Sequence, residues 1–248
     1  MKCILLAAGY ATRLYPLTEN FPKPLLTVGD KTIVDWLIDD LKDNVKDIDE
    51  YVIITNHKFY KHFVNWSKDK PSVTIVDDNT DTNENRLGAV KDILYAIKAL
   101  KIDDDVLVLA GDNLLDFSLC KFIKFAENKK TSCVMCHEEN NLIKQQKTAI
   151  ITIDNNNLIT SYEEKPKSPK GNLAVPPFYF YLRKDINRIE EALNDGCNPD
   201  APGSFAAWLS GKTPVHAYKM PGKRYDIGDI KSYEYVKEVF SKYRSEEL

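Results

Sequence analysis

The stretch LLAAGYATRLYPLTENFPKPLL, residues 5–26, decides how this chain is read. An apolar run ends at Gly9, Arg13 follows, and Lys23 stands between Pro22 and Pro24 in a segment that also carries Pro16. Connections in compact domains usually take about two to six residues, so a segment this long with two cations does more than turn the chain. A glycine directly after a strand lets backbone N–H groups approach a phosphate. Arginine offers phosphate oxygens a planar fork and lysine a compact point charge, and the prolines lower the entropy lost in holding both in place. Together they read as an anion-binding loop. Taken singly, Gly9 is as well explained by a tight turn, and Arg13 and Lys23 by solvated charges. Ala11 occupies the place of the second glycine of G-x-G-x-x-G and no G-K-[ST] follows, so neither the dinucleotide fingerprint nor a P-loop is present.

Outward from this loop, the first half alternates strand and helix patterns. KCILLAA, EYVIIT, SVTIVDD and DVLVLAGD read as strands. TIVDWLIDDL, KFYKHFVNW and RLGAVKDILYAIKAL read as helices, the last with Val90, Ile93, Leu94 and Ile97 on one face. This alternation predicts a parallel sheet with helices on both faces, and Gly9 and Asp112 fall at the carboxyl ends of strands, where such sheets bind ligands. In the second half, TAIITID and LITSYEEK flank NNN as a hairpin, and NLAVPPFYFYL reads as one further strand. Helical patterns follow at 184–195 and near FAAWL, then a strand at VHAYKM. A last helix, IKSYEYVKEVFSKY, has Tyr233, Val236, Phe240 and Tyr243 on one side. The expected fold is α/β: a Rossmann-like, mixed but mostly parallel sheet flanked by helices. The expected organisation is one domain over 1–248 with two lobes, 1–115 and 116–248.

Composition narrows the partners. Lys and Arg number 34 against 37 Asp and Glu, a net charge of −3, so no basic surplus points to nucleic acid and an anion must be held by a few placed cations. No run reaches the roughly 18 apolar residues of a membrane span, and MKCILLAAG is too short an apolar run for a signal peptide. The expectation is a cytoplasmic protein with free thiols at Cys3, Cys120, Cys133, Cys136 and Cys197. CVMCH, residues 133–137, has the spacing of a haem-attachment motif or half a zinc site. It lies in a strand pattern, however, where residues three apart face opposite sides, and it reads as two small core residues. His57 and His62 are five apart, not the four of a helical metal pair.

The order and spacing of LAAG-x-A-T-R-L-x-P-L-T-x-x-x-P-K-P-L resemble the signature of the sugar-phosphate nucleotidylyltransferases, such as the glucose-1-phosphate thymidylyltransferases and smaller relatives acting on phosphocholine. RLGAVKDILYAI resembles that family's glycine-led helix, LVLAGDN its strand ending in a metal-binding aspartate, SYEEKP its Glu-Lys-Pro, and YDIGDIKSYEYV its second metal aspartate before the final helix. The likeness runs over nearly the whole chain. Two departures stand out: Ala11 where the signature has glycine, whose methyl narrows the approach of a triphosphate, and Pro177 where thymidylyltransferase-like members carry glycine.

The resemblance implies the fold of nucleotide-diphospho-sugar transferases, with 1–115 as the NTP-binding lobe and 116–248 as the acceptor-binding lobe. It implies that the backbone of Leu6, Ala7, Ala8 and Gly9 meets base and ribose, that Arg13 and Lys23 hold the triphosphate, and that Gly88 lies against the base. Asn83 falls where some members read the base with an amide, although its polar loop suits a solvated residue equally. Asp112 and Asp226 would bind Mg2+, Glu164 and Asn172 would contact the acceptor, and Lys165 would hold its phosphate. Outside the resemblance, Asp226 and Asp229 have the simpler reading of caps on the last helix. The implied activity joins an NTP to a sugar 1-phosphate, giving a nucleotide sugar and pyrophosphate. A CTP-dependent cytidylyltransferase acting on a phosphoalcohol such as phosphocholine is the alternative, and a non-catalytic sensor of the same fold a lesser one. Base, acceptor and oligomeric state stay open, a homodimer being one option.

Overall fold

The computed structural model describes residues 1–243, the side chains of Lys242 and Tyr243 excepted, so the place of Tyr243 on the last helix lies outside the described residues. The chain starts with β1 (Lys2–Leu6), two 3-10 turns at Thr12–Leu14 and Lys23–Leu25, β2 (Thr27–Val28), β3 (Lys31–Thr32) and α1 (Ile33–Asn44). There follow β4 (Glu50–Thr55), α2 (His57–Trp66), β5 (Val73–Asp77), α3 (Ala89–Leu100), β6 (Val106–Ala110) and β7 (Asn113–Leu115). Next come α4 (Cys120–Lys129), β8 (Ser132–Glu138), α5 (Leu142–Gln145), β9 (Ala149–Ile153), β10 (Ile159–Glu164), β11 (Leu173–Val175) and β12 (Phe178–Tyr181). The chain closes with α6 (Arg183–Ile186), α7 (Ile189–Asn194), α8 (Gly203–Ser210), β13 (Val215–Lys219), β14 (Arg224–Asp226) and α9 (Ile230–Tyr243). Ten strands form one mixed sheet, and β7–β14 and β2–β3 are separate ribbons. The expected α/β class, a mixed sheet flanked by helices, is the one observed.

The chain divides into two compact units, neither of them a single continuous stretch. The first comprises 1–4, 87–109 and 120–221. The second comprises 5–86, 110–119 and 222–248. In the first, β9 pairs antiparallel with β10 and β11, β8 with β11 and β12, and β12 with β6, while β13 runs parallel to β8. In the second, β4 and β5 run parallel over five residue pairs, as the strand–helix–strand pattern predicts.

One expectation needs correction. NLAVPPFYFYL is not one strand: β11 ends at Val175 and β12 begins at Phe178. Proline has no N–H to donate to a ladder, and Pro176 and Pro177 let the chain leave its place between β9 and β8 and rejoin between β8 and β6. Phe178 N–H closes the tight turn on Pro176 C=O at 2.8 Å.

CVMCH lies in β8, as its pattern predicts, and both Cys133 and Cys136 are fully buried. Burial pushes each thiol up to about 11, so the reactive thiolate is scarce near neutrality. Native protein treated with an alkylating reagent at pH 8 should leave Cys3, Cys133 and Cys136 unmodified, with full labelling after denaturation. Native labelling of Cys133 or Cys136, or one equivalent of tightly bound zinc, would contradict a purely packing role.

In the second unit one apolar cluster matters most for function. Leu14, Leu26, Val28, Ile33, Leu114, Ile227, Tyr233, Val236 and Phe240 pack together. Leu14 follows Arg13, Leu114 follows Asp112 by two, and Ile227 follows Asp226. Burying each such side chain contributes roughly 1.5–3 kcal/mol, so three segments far apart in sequence are tied down beside their polar residues. Tyr233 adds a hydrogen bond from its hydroxyl to Thr27 C=O at 2.8 Å.

Candidate active site

The end of β1 is set by backbone pairing. Ala7 N–H donates to Ile54 C=O at 2.8 Å, Gly111 N–H donates to Leu6 C=O at 3.0 Å, and the buried Asn56 amide donates to Ala8 C=O at 2.9 Å. Asn56 also caps α2, its Oδ1 accepting from Phe59 N–H, so one side chain fixes both the loop and a helix. Gly111 suits the crossing because a Cβ there would stand 3.2 Å from Leu6 O. Gly9 is exposed, with open space on its Cβ side.

Ala11 adopts the left-handed conformation, φ 47° and ψ 43°. Its carbonyl accepts from Leu14 N–H and from the buried Thr18 hydroxyl, both at 2.9 Å, which holds it there. An L-residue in this region costs roughly 1–2 kcal/mol, and glycine avoids that cost while losing some of the gain to unfolded-state entropy. Ala11→Gly is therefore expected to raise Tm by about 1–3 °C, measured by thermal unfolding; a lower Tm would show that the methyl packs favourably.

Lys23 has partners that its sequence position did not reveal. It is only 6% exposed, and its Nζ lies 2.7 Å from Asp112 Oδ2 and 4.0 Å from Asp226 Oδ1. Both proposed metal carboxylates thus meet on one ammonium. Asp226 is not the cap of α9: that place belongs to Asp229, whose Oδ1 accepts Ser232 N–H at 2.8 Å. The hydrogen bonds from Ser232, with Arg13 adding its charge, hold the Asp229 carboxyl below the usual range. The Arg13 guanidinium is exposed and reaches the same turn, its Nη1 3.6 Å from the position of a Cβ on Gly228. Both loop cations therefore face residues 226–229. Asn83, in the same unit, is exposed, and its backbone and side-chain oxygens accept from Arg86.

Two residues that the sequence reading passed over join this set. β14 pairs antiparallel with β7, placing Asp226 opposite Asn113. Arg224 is two residues before Asp226, hence on the same face of the strand, and its Nη1 lies 2.6 Å from Asn113 Oδ1 and 3.8 Å from Asp226 Oδ2. Asn113 donates through Nδ2 to Asp112 Oδ1 at 2.8 Å. The period-2 spacing of Arg224 and Asp226 was the available signal for Arg224; for Asn113 it was adjacency to Asp112.

The remaining candidates belong to the first unit. Gly88, φ 89°, begins α3, and a Cβ there would stand 2.6 Å from Pro199 O. Val90 N–H donates to the same carbonyl at 2.9 Å, so Gly88 is required by the backbone of residues 199–200. Glu164 ends β10 half-buried, and burial raises its pKa while Lys165 opposes the shift. A Cβ on Gly203 would lie 2.8 Å from Glu164 Oε2 and 2.9 Å from Tyr162 Oη. Lys165 is exposed, with φ 47°, and its N–H donates to Thr148 C=O. The register aligns Glu164 with Ala149 and Val175; Asn172 lies just before β11, three residues ahead of Val175, and contacts Asn140. The fold does not bring Asn172 level with Glu164.

Comparison with known proteins gives the family and the fold. A family described as nucleotidyl transferase matches residues 2–242. The bifunctional protein GlmU of Methanocaldococcus jannaschii is 29% identical over 77% of this chain and 42% of its own. A glucose-1-phosphate adenylyltransferase of Fervidobacterium nodosum is 26% identical over 93% of this chain and 59% of its own. The chain thus spans about half the length of these curated relatives. The apo structure of a UDP-glucose pyrophosphorylase superposes with a TM-score of 0.83 over 98% of each chain at 21% identity, a likeness of fold.

Proposed function

Since the chain belongs to the nucleotidyl transferase family, we propose that it joins an NTP to a sugar 1-phosphate, releasing pyrophosphate and a nucleotide sugar. The observation that carries this reading is the convergence of Lys23, Asp112 and Asp226 at the end of the anion-binding loop. The sugar-1-phosphate chemistry in the names of its relatives supports the choice of acceptor. The nucleotide is assigned to the lobe 1–115 and the acceptor to 116–248, with Asp226 returning to the nucleotide side.

The acceptor's phosphate oxygen attacks the α-phosphorus and the α–β bridging oxygen leaves with pyrophosphate. The attacking phosphate oxygen is already anionic near neutrality, so no general base is needed, and the chain's work is positioning and charge neutralisation. Arg13 and Lys23 hold triphosphate oxygens, the backbone of residues 6–9 with Asn83 accommodates the nucleoside, and Glu164 and Lys165 take the acceptor. Among the described residues no three His, Cys, Asp or Glu side chains group to hold a metal. Two carboxylates sharing one cation do fit Mg2+, which takes one or two carboxylates and completes its shell with phosphates and water. Asp112 and Asp226 would hold it, and it would supply charge to offset that developing on the phosphates. Among the described residues no helix is long and apolar enough to cross a membrane.

Pyrophosphate release from CTP, UTP, GTP, ATP and dTTP with a panel of sugar 1-phosphates and phosphoalcohols tests the reading. Release is expected with one sugar 1-phosphate class; release only with CTP and phosphocholine would move the acceptor to a phosphoalcohol, and none with any pair would contradict the activity. Lys165→Ala should raise the KM for acceptor by about tenfold or more and leave NTP affinity close to wild type. An equal loss of NTP affinity, titrated without acceptor, would remove Lys165 from the acceptor set.

A further inference from the structure

Lys23, Asp112, Asn113, Arg224 and Asp226 form a closed ring of polar contacts. Lys23 bonds Asp112 at 2.7 Å and lies 4.0 Å from Asp226, Asn113 links Asp112 to Arg224, and Arg224 lies 3.8 Å from Asp226. The orientation of Asn113 is fixed by its neighbours. Its NH2 faces a carboxylate and its C=O a guanidinium; the reverse would set like against like on both sides. Asn113 is 1% exposed, so neither group can turn to water instead.

The charges in this ring cancel. Two carboxylates are matched by one ammonium and one guanidinium, with the Lys23 and Arg224 side chains 7% and 21% exposed. A divalent cation entering alone would meet a neutral ring with two fixed positive charges a few ångströms away. A cation entering with the phosphates of a nucleotide brings the anions that those charges can turn to.

Resting on the nucleotidyltransferase reading, we propose that Arg224 is a positioning residue. It fixes Asp226 directly and Asp112 through Asn113, and with Lys23 it keeps the carboxylate pair neutral, so that a divalent cation is held weakly until nucleotide is present. Arginine suits both tasks because one rigid planar guanidinium nitrogen donates to the Asn113 amide oxygen while lying 3.8 Å from the Asp226 carboxylate, and its charge is permanent. Lysine would keep the charge but not the rigid planar donor that reaches Asn113. Glutamine would lose the charge.

The test is titration of the whole protein with Mn2+ alone, free Mn2+ being read by electron paramagnetic resonance, beside turnover at saturating metal and substrates. Arg224→Gln is expected to bind Mn2+ about tenfold more tightly than wild type, the scale set by removing one nearby unit charge at a half-exposed site, and to turn over at least about tenfold more slowly because the carboxylates lose their hold. Arg224→Lys is expected to bind Mn2+ within about twofold of wild type and still turn over slowly. A merely structural role predicts weaker Mn2+ binding and slower turnover together. Unchanged or weaker Mn2+ binding by folded Arg224→Gln overturns the proposal, as does wild-type turnover in Arg224→Lys, which decides alone if the glutamine variant does not fold. If the wild type turns over no nucleotide, the activity reading fails while the Mn2+ comparison still reports on the ring.

Discussion

Asp226→Asn should lower turnover about a hundredfold or more and leave the protein folded. Asparagine keeps the shape of aspartate and removes its charge, so the change tests the carboxylate alone. The helix-cap reading predicts little effect, since asparagine caps as well as aspartate; the structure gives that cap to Asp229, which accepts from Ser232 N–H. Asp226 instead faces Lys23 and Arg224, and its side chain is 53% exposed, open to substrate and solvent. Its removal leaves Lys23 still paired with Asp112 at 2.7 Å, so little stability is lost. Asp112→Asn should affect turnover to the same degree. Near-normal, Mg2+-dependent turnover in Asp226→Asn would take this residue out of the mechanism.

Lys23→Ala should lower kcat/KM for the NTP by about one to two decades, the loss of one charge-assisted contact worth roughly 1.5–3 kcal/mol. It should also destabilise the protein. Breaking a buried ion pair costs about 3–5 kcal/mol, but the Asp112 side chain is 37% exposed and can be hydrated, which brings the expected cost nearer to about 1–2 kcal/mol. At this chain length that is roughly 2–8 °C in Tm. The informative part is the response to metal. With the ammonium gone, Asp112 and Asp226 keep Arg224 nearby but lose the charge that matched the second carboxylate, so millimolar Mg2+ should restore part of the lost Tm in Lys23→Ala and change the wild type little. A wild-type Tm and unaltered NTP use would show that Lys23 is not the cation of this site.

Much of the architecture is legible in the sequence because it is local. The period-3.6 face of RLGAVKDILYAIKAL becomes α3, with Val90, Ile93 and Ile97 buried, and the Asn run between TAIITID and LITSYEEK becomes the turn joining β9 and β10. The strand break at Pro176–Pro177 was also written locally, in two residues without N–H groups, but the continuous apolar pattern on either side masked it. The contacts of the candidate site could not be read in the same way. Lys23 is 89 residues from Asp112 and Arg224 is 111 from Asn113, and no periodicity spans such separations. The same holds for Gly88, which looks like a ligand-facing glycine from its motif but is demanded by the backbone at Pro199 and Asp200. Ala11 is the opposite case: its departure from the signature was plain in the sequence, and the structure adds that the backbone there is left-handed.

The central claim is that an acceptor phosphate oxygen attacks the α-phosphorus of an NTP. It is tested most directly by running the reaction with sugar 1-phosphate labelled with 18O in its phosphate and locating the label by mass spectrometry and 31P NMR. The account predicts 18O in the bridge between the two phosphorus atoms of the nucleotide sugar, and unlabelled pyrophosphate. Label in the pyrophosphate, or free nucleoside monophosphate bearing solvent oxygen as the main product, would contradict it.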